Sequence, residues 1–485
     1  MITKNFIKSS FLYTIGGALP MATGFILLPT YVNNLSKEDY SFFIILQILF
    51  LFFQTIGILN IDISTQSYYF DYKNDPAKLR RFVGTLVSNM LMTGVVITLF
   101  FSLTGPFLFE LIFPETAYSF FPYVFIAVII GVCFSFFKSY SNFLIVRQKP
   151  ERFFLLSFGN FFLTVILSIL LLKLIPDSLV GPVYGRLVPV LIVFCTALVF
   201  FIKEFGIHYD KKFTKDIINY SLPSLINVII IWALGNVDRL IISGQMEKLD
   251  LIVYDIAWKI AMILEFVLTG LTNSIYPKIM NSWADFRISK SSVEENRYHH
   301  VFTLLTIFLI ALLNVASPVI LPFLFKKEAY LLAINFIPLL ALQFLFRGFF
   351  NLYFYPIYYF KRTKSLPRIF ILLALIQVTA SFTLIYYMGL MGAIAAILIS
   401  KLIQVILLRQ ESKKVFTYKF NKVKMLYLPI FYGCLIVSGE LLFRESNKII
   451  LYASEFLIIT LIIGLVYKSE IISLIERNNL LRKKI

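Results

Sequence analysis

The chain has 485 residues, of which 59% are hydrophobic and only 15% charged, and its mean hydropathy is +0.82. Soluble domains carry about 25% charged residues, so a soluble enzyme is excluded, and a chain this apolar is not disordered either. The formal net charge of +18 leaves two readings, a nucleic-acid partner or the basic face of a membrane protein.

A helix needs about 20 mostly apolar residues to cross the hydrocarbon core. Apolar runs between charged breaks predict fourteen such helices: 9–31, 41–62, 82–104, 118–137, 153–175, 180–202 and 217–243, then 251–276, 301–323, 331–358, 369–388, 391–408, 425–443 and 449–467. No segment between them is long enough for a soluble domain, so the expected fold class is an all-α polytopic membrane protein. The first run is too long for a signal-peptide core, contains Gly16, Gly17 and Pro20, and is followed by no small-residue cleavage site. It is therefore read as a retained span.

With the N-terminus cytoplasmic, the inside segments hold 33 Lys and Arg and the outside loops 7. The bias has one sign in every loop pair, so the positive-inside rule puts both termini in the cytoplasm. Five bases remain inside spans, Arg186, Arg239, Lys259, Arg347 and Lys401, with six acids, Asp62, Asp238, Asp255, Glu265, Glu440 and Glu455. Cys133, Cys195 and Cys434 lie far apart in apolar runs, a pattern without metal or disulfide spacing. His208, His299 and His300 fall in charged loop segments, and the adjacent pair is expected at a solvated loop end.

The spans repeat. Setting Ser10 on Ser221 brings Leu35-Ser36-Lys37-Glu38-Asp39 opposite Met246-Glu247-Lys248-Leu249-Asp250 without a gap. One residue further on, Gly105-Pro106 falls on Ser317-Pro318, and Gly181 falls on Gly392 at the original offset. A near-constant offset through six spans predicts a duplication, and because six is even the two halves are parallel repeats. The expected organisation is a six-helix lobe over 1–202, a cytoplasmic linker over 203–216, a second six-helix lobe over 217–408, a basic linker over 409–424, an extra helix hairpin over 425–467 and a basic tail over 468–485.

The stretch Phe25-Ile26-Leu27-Leu28-Pro29, followed by Leu35-Ser36-Lys37-Glu38-Asp39-Tyr40, resembles the first hairpin of bacterial polysaccharide transporters of the O-antigen flippase type. There a proline-bearing first helix precedes a loop reading like Leu-Ser-Pro-Glu-Asp-Tyr-Gly; this chain has Lys37 where the family often has Pro and Ser41 where it often has Gly. Length, fourteen spans and duplicated lobes agree with that family over essentially the whole chain. The resemblance implies membership of the multidrug/oligosaccharidyl-lipid/polysaccharide (MOP) flippase superfamily, which also holds multidrug and toxin extrusion transporters and lipid II flippases. It implies a bacterial inner-membrane flippase that moves a polyprenyl-pyrophosphate-linked oligosaccharide to the outer leaflet, with polysaccharide polymerase and other glycan-assembly proteins as partners.

A charge at the centre of a membrane helix costs at least about 2.5–3.5 kcal/mol, so the embedded charges face a cavity or one another. A lipid-linked pyrophosphate needs cations at that depth, which makes Arg347, Lys401, Arg239, Lys259 and Arg186 the candidate substrate-binding residues. Gln343, Arg347, Asn351 and Tyr355 recur every four residues and line one face of the tenth span; the alternative role for that face is to lock helices together. Trp232, Asn236, Arg239 and Ser243 form a second stripe, although Arg239 lies near a span end from which it can snorkel. Lys259 has Asp255 one turn away as a structural partner, Lys401 and Gln404 share a mid-span face, and Arg186 stands between Pro182 and Pro189. Four of the five cations lie in the second lobe, which predicts an asymmetric lumen.

Glu265, Asp238 and Asp62 are candidates for binding H+ or Na+ and coupling transport to a gradient, unless each merely neutralises a neighbouring base. No other cofactor is expected. A cation-coupled multidrug-type antiporter and a lipid II flippase are the rival functions, while a membrane glycosyltransferase would need catalytic carboxylates or a larger loop than 277–300. The whole of the +18 falls on the inside segments, so the charge records topology and the nucleic-acid reading drops out.

Overall fold

The computed structural model describes residues 4–114, 116–289, 293–416, 420–443 and 446–468; most of the basic tail lies outside them. Every regular element among these residues is helical. The helices are α1 (Lys4–Asn34), α2 (Lys37–Ile56), α3 (Ile63–Tyr72), α4 (Pro76–Ile112), α5 (Phe125–Val146), α6 (Pro150–Leu174), α7 (Val180–Phe205), α8 (Lys211–Gln245), α9 (Lys248–Ala261), α10 (Ile263–Ser289), α11 (Val293–Leu324), α12 (Ile337–Ala341), α13 (Leu345–Tyr359), α14 (Leu366–Lys413), α15 (Leu428–Leu442) and α16 (Lys448–Val466). Twelve helical segments among the described residues are long and apolar enough to cross a membrane.

Twelve segments become fourteen spans for two physical reasons. One segment, Thr363–Lys413, has 51 residues, about 77 Å of helix at 1.5 Å per residue, more than twice the roughly 30 Å of hydrocarbon. It is not one rod. Gly389 adopts φ 58°, ψ −138°, and a Cβ on Gly392 would strike the Leu384 carbonyl, a contact that eight residues of continuous helix would hold about 12 Å apart. The chain therefore reverses at Gly389, giving the expected eleventh and twelfth spans. The eighth span, in turn, is split at Met262 into α9 and α10.

The second span ends short of its expected limit at residue 62, and a separate helix follows it. After α2 ends at Ile56, Leu59 and Asn60 adopt positive φ (49° and 56°) before α3 begins, a conformation that a leucine adopts only under strain. Hydrogen bonds to α8 hold the bend: Asn60 Nδ2 donates to Ser224 Oγ at 2.8 Å, Ser67 Oγ donates to the Tyr220 hydroxyl at 2.6 Å, and Ser64 and Ser221 hydroxyls meet at 3.1 Å.

The chain divides into two compact units, 1–252 and 253–485. In the first, α8 joins α2, α3 and α4, so the helix that opens the second repeat by sequence packs with the first unit. In the second, α13 packs on α14 and α11 on α16, with a core around Leu352, Ile357, Leu373 and Leu408.

The residues that carry the family resemblance form a helix cap. Ser36, in extended conformation, accepts the Asp39 amide at 3.0 Å through Oγ and donates to Asp39 Oδ2 at 2.8 Å, satisfying a first-turn N–H that has no helical partner. The other Asp39 oxygen accepts the Tyr118 hydroxyl at 2.5 Å, and the Tyr118 ring stacks on Phe42 at 4.1 Å and 6°. Tyr40 is fully buried. Ser36→Ala should destabilise the protein by about 0.5–2 kcal/mol, read as a lowered unfolding midpoint in detergent, whereas Ser36→Asp should leave the midpoint close to wild type.

Candidate functional site

The break at Met262 starts a new helix, and Glu265 lies in its first turn, where the helix dipole favours a carboxylate. Arg347 of α13 meets it across 82 residues of sequence: Nη1 lies 2.9 Å from Glu265 Oε1 and 3.1 Å from Oε2. Thr269, one turn along α10, donates to Glu265 Oε1 at 3.0 Å. The two charged side chains keep 27% and 26% exposure, so the pair is not sealed. Arg347 Nε, buried, has no acceptor among the described residues. Lys401 of α14 sits in the same field, attracted by Glu265 and repelled by Arg347. By formal charge the three side chains sum to +1.

The rest of the α13 stripe faces a matching stripe on α10. Asn351 Nδ2 lies 3.5 Å from Thr272 Oγ1, and the Tyr355 ring packs edge-on against Tyr276 at 5.0 Å. Glu265, Thr269, Thr272 and Tyr276 thus pair in register with Arg347, Asn351 and Tyr355. Gln343 turns back to its own backbone, donating to the Leu340 carbonyl at 3.0 Å. Thr269 and Thr272 are residues that sequence reasoning missed. Their signal was available, since 265, 269, 272 and 276 share one helix face. Gln404 is buried on α14.

Lys259 is engaged within its own helix, its Nζ 2.6 Å from Asp255 Oδ2, with the Asp255 side chain wholly buried. In the first unit, the Arg186 guanidinium lies 3.7 Å above the Phe50 ring, a cation–π contact. It lines a small cavity with Gln47, Tyr123 and Ile130, near Tyr31, which donates to Ser168 at 3.0 Å. Arg239 is buried and donates through Nη2 to the Gly235 carbonyl and to Asn236 Oδ1, both at 2.8 Å. Its neighbour Asp238 is also buried. Trp232 packs against α2, its indole N–H donating to the Ile48 carbonyl at 3.3 Å and its ring 4.8 Å from Phe52. Asp62 accepts the Asn142 amide at 3.0 Å beside the α2–α3 bend. The sequence-based site residues are thus distributed over both units, with Glu265, Arg347 and Lys401 brought together in the second.

One expectation is corrected. His299 is not at a solvated loop end: α11 begins before it, and it is buried with its ring 6.4 Å from Tyr355.

Neither a protein-family model nor a curated protein matches this sequence. Solved structures do. The lipid II flippase MurJ, in an inward closed conformation, superposes with a TM-score of 0.71 at 14% identity, covering 96% of this chain and 100% of that one. An inward-facing multidrug resistance MATE family transporter of the MOP superfamily gives 0.64 at 14% identity, over 85% and 99%. A MOP superfamily transporter from Pyrococcus furiosus, described as having a binding pocket of reverse polarity, gives 0.56 at 14%, over 84% and 96%. At such identities the likeness is one of fold: this multi-pass membrane protein has the fold of MOP superfamily transporters.

Proposed function

We propose that the chain is a non-enzymatic flippase that carries a polyprenyl-pyrophosphate-linked oligosaccharide from the inner to the outer leaflet of the bacterial cytoplasmic membrane by alternating access. The observation that carries this reading is the net-positive Glu265–Arg347–Lys401 cluster on membrane helices, with Arg347 Nε unsatisfied. An anionic head group crossing the hydrocarbon loses its water, and charge-assisted hydrogen bonds from a guanidinium replace it. Glu265 holds the place of the substrate. In the empty transporter it neutralises Arg347 and fixes its orientation, and the pyrophosphate competes for the same donors, drawing in Lys401 as well. The transporter would alternate between inward- and outward-open states while the polyprenyl tail stays in lipid.

A second reading has its own support. The lipid II flippase fold covers 96% of this chain and the multidrug transporter 85%, so lipid II, also a polyprenyl-pyrophosphate glycan, is the alternative cargo. A cation-exporting role of the multidrug type fits less well, because the cluster is positive and Glu265 is already engaged. Complementation separates the two flippase readings: rescue of a strain depleted of its lipid II flippase assigns lipid II, and rescue of a surface-polysaccharide export mutant alone assigns the glycan.

In the strain that is rescued, Arg347→Ala and Lys401→Ala should each lower export at least tenfold, about 1.4 kcal/mol, at wild-type protein levels. Arg347→Lys should restore only part of it, since a point charge cannot reproduce a two-pronged contact. Full export by both alanine variants would sink the assignment. Coupling to H+ or Na+ through Glu265, Asp238 or Asp62 is expected to show as a loss of lipid-linked substrate uptake in vesicles when the corresponding gradient is collapsed; uptake indifferent to both gradients would exclude it.

A further inference from the structure

The C-terminal hairpin of α15 and α16 contains two buried carboxylates, and they are treated differently. Glu440, 5% exposed, has both oxygens engaged. Lys448 Nζ donates to Oε2 at 2.7 Å and the Tyr452 hydroxyl to Oε1 at 2.5 Å. That set is charge-balanced and hydrogen-bonded, the condition under which an ion pair survives burial. Glu455, 4% exposed, has neither oxygen hydrogen-bonded among the described residues. Its carboxyl group lies against the backbone of α15, where a Cβ on Gly439 would strike Oε1.

The surroundings offer Glu455 no counter-charge of its own. On α15 it is faced by Glu440, a like charge, and by the Tyr432 phenol; on its own helix by Tyr452 and by Lys448, whose ammonium is committed to Glu440. The third side is α11, which packs on α16 with Phe308 5.9 Å from Phe456 and the Tyr467 hydroxyl 3.4 Å from the His300 carbonyl. Its buried polar side chains along that stretch, Thr306, Asn314 and Ser317, are uncharged. Asn314 itself has neither amide atom bonded, so it does not supply the missing donor. An ionised carboxylate left this way costs many kcal/mol, and such a group takes up a proton instead.

We propose that Glu455 is a proton-binding site: the C-terminal hairpin holds one proton there, apart from the Glu265–Arg347–Lys401 cluster, and carries it as a neutral carboxylic acid at neutral pH. Sodium is the poorer occupant. It would need several oxygen ligands, and both Glu440 oxygens are taken while the Lys448 ammonium stands beside them.

The test is infrared spectroscopy of the full-length protein in lipid nanodiscs at neutral pH, reading the C=O stretch of un-ionised carboxyl groups. The wild type should show that band, and Glu455→Gln should lose a one-residue share of it. A wild-type spectrum without the band overturns the proposal, and needs no variant to fold. So does an undiminished band in Glu455→Gln, or one that disappears on adding sodium chloride, which would make the site a sodium site. None of these readings depends on which lipid is transported.

Discussion

An unpaired charge is intolerable in hydrocarbon, and the interior of this protein is organised around that cost. At least about 2.5–3.5 kcal/mol per embedded charge is comparable to a large part of a folding free energy, so each one has to be met. The structure meets them in three ways. Lys259 and Asp255 neutralise each other within one helix. Arg186 lies over an aromatic face, and Arg239 donates to a backbone carbonyl and a side-chain amide oxygen. Arg347 and Glu265 join two helices; there a second cation enters the field, and the buried Arg347 Nε has no acceptor among the described residues.

Much of the fold was legible in the sequence because the bilayer demands length and apolarity, two properties that a single chain displays openly. The reversal at Gly389 sits between the expected spans 369–388 and 391–408. What the sequence concealed are the breaks. Met262 has no Pro or Gly beside it, and although Gly57 caps α2, the bend itself falls on Leu59 and Asn60; it is held by the hydroxyls of Ser221, Ser224 and Tyr220, far along the chain, and long-range contacts of this kind leave no local trace.

The site was half legible for the same reason. The stripe Arg347–Asn351–Tyr355 stood out by its four-residue spacing, but its partner stripe on α10 mixes Glu265 with two threonines, which are ordinary in membrane helices. The pairing of Glu265 with Arg347 depends on the register between α10 and α13, and nothing in either helix alone specifies it. The Leu35–Tyr40 motif has a plain physical reading as well. Ser36 caps α2 and Lys37 occupies its first position, where proline is well suited; this explains why Pro and Lys exchange there and why such a motif, being mostly helix-start chemistry, is only moderately specific.

The turn at Gly389 has a mechanical consequence. With almost no chain between the two halves of α14, the eleventh and twelfth spans are linked end to end like the arms of a clip, and no slack loop absorbs displacement of one relative to the other at that end. Lys401 rides on the second arm, twelve residues beyond the turn. The two arms share that end, so any displacement of the second arm at the turn is passed directly to the end of the first, whose outer surface over residues 369–388 is exposed at Leu375 and Phe382.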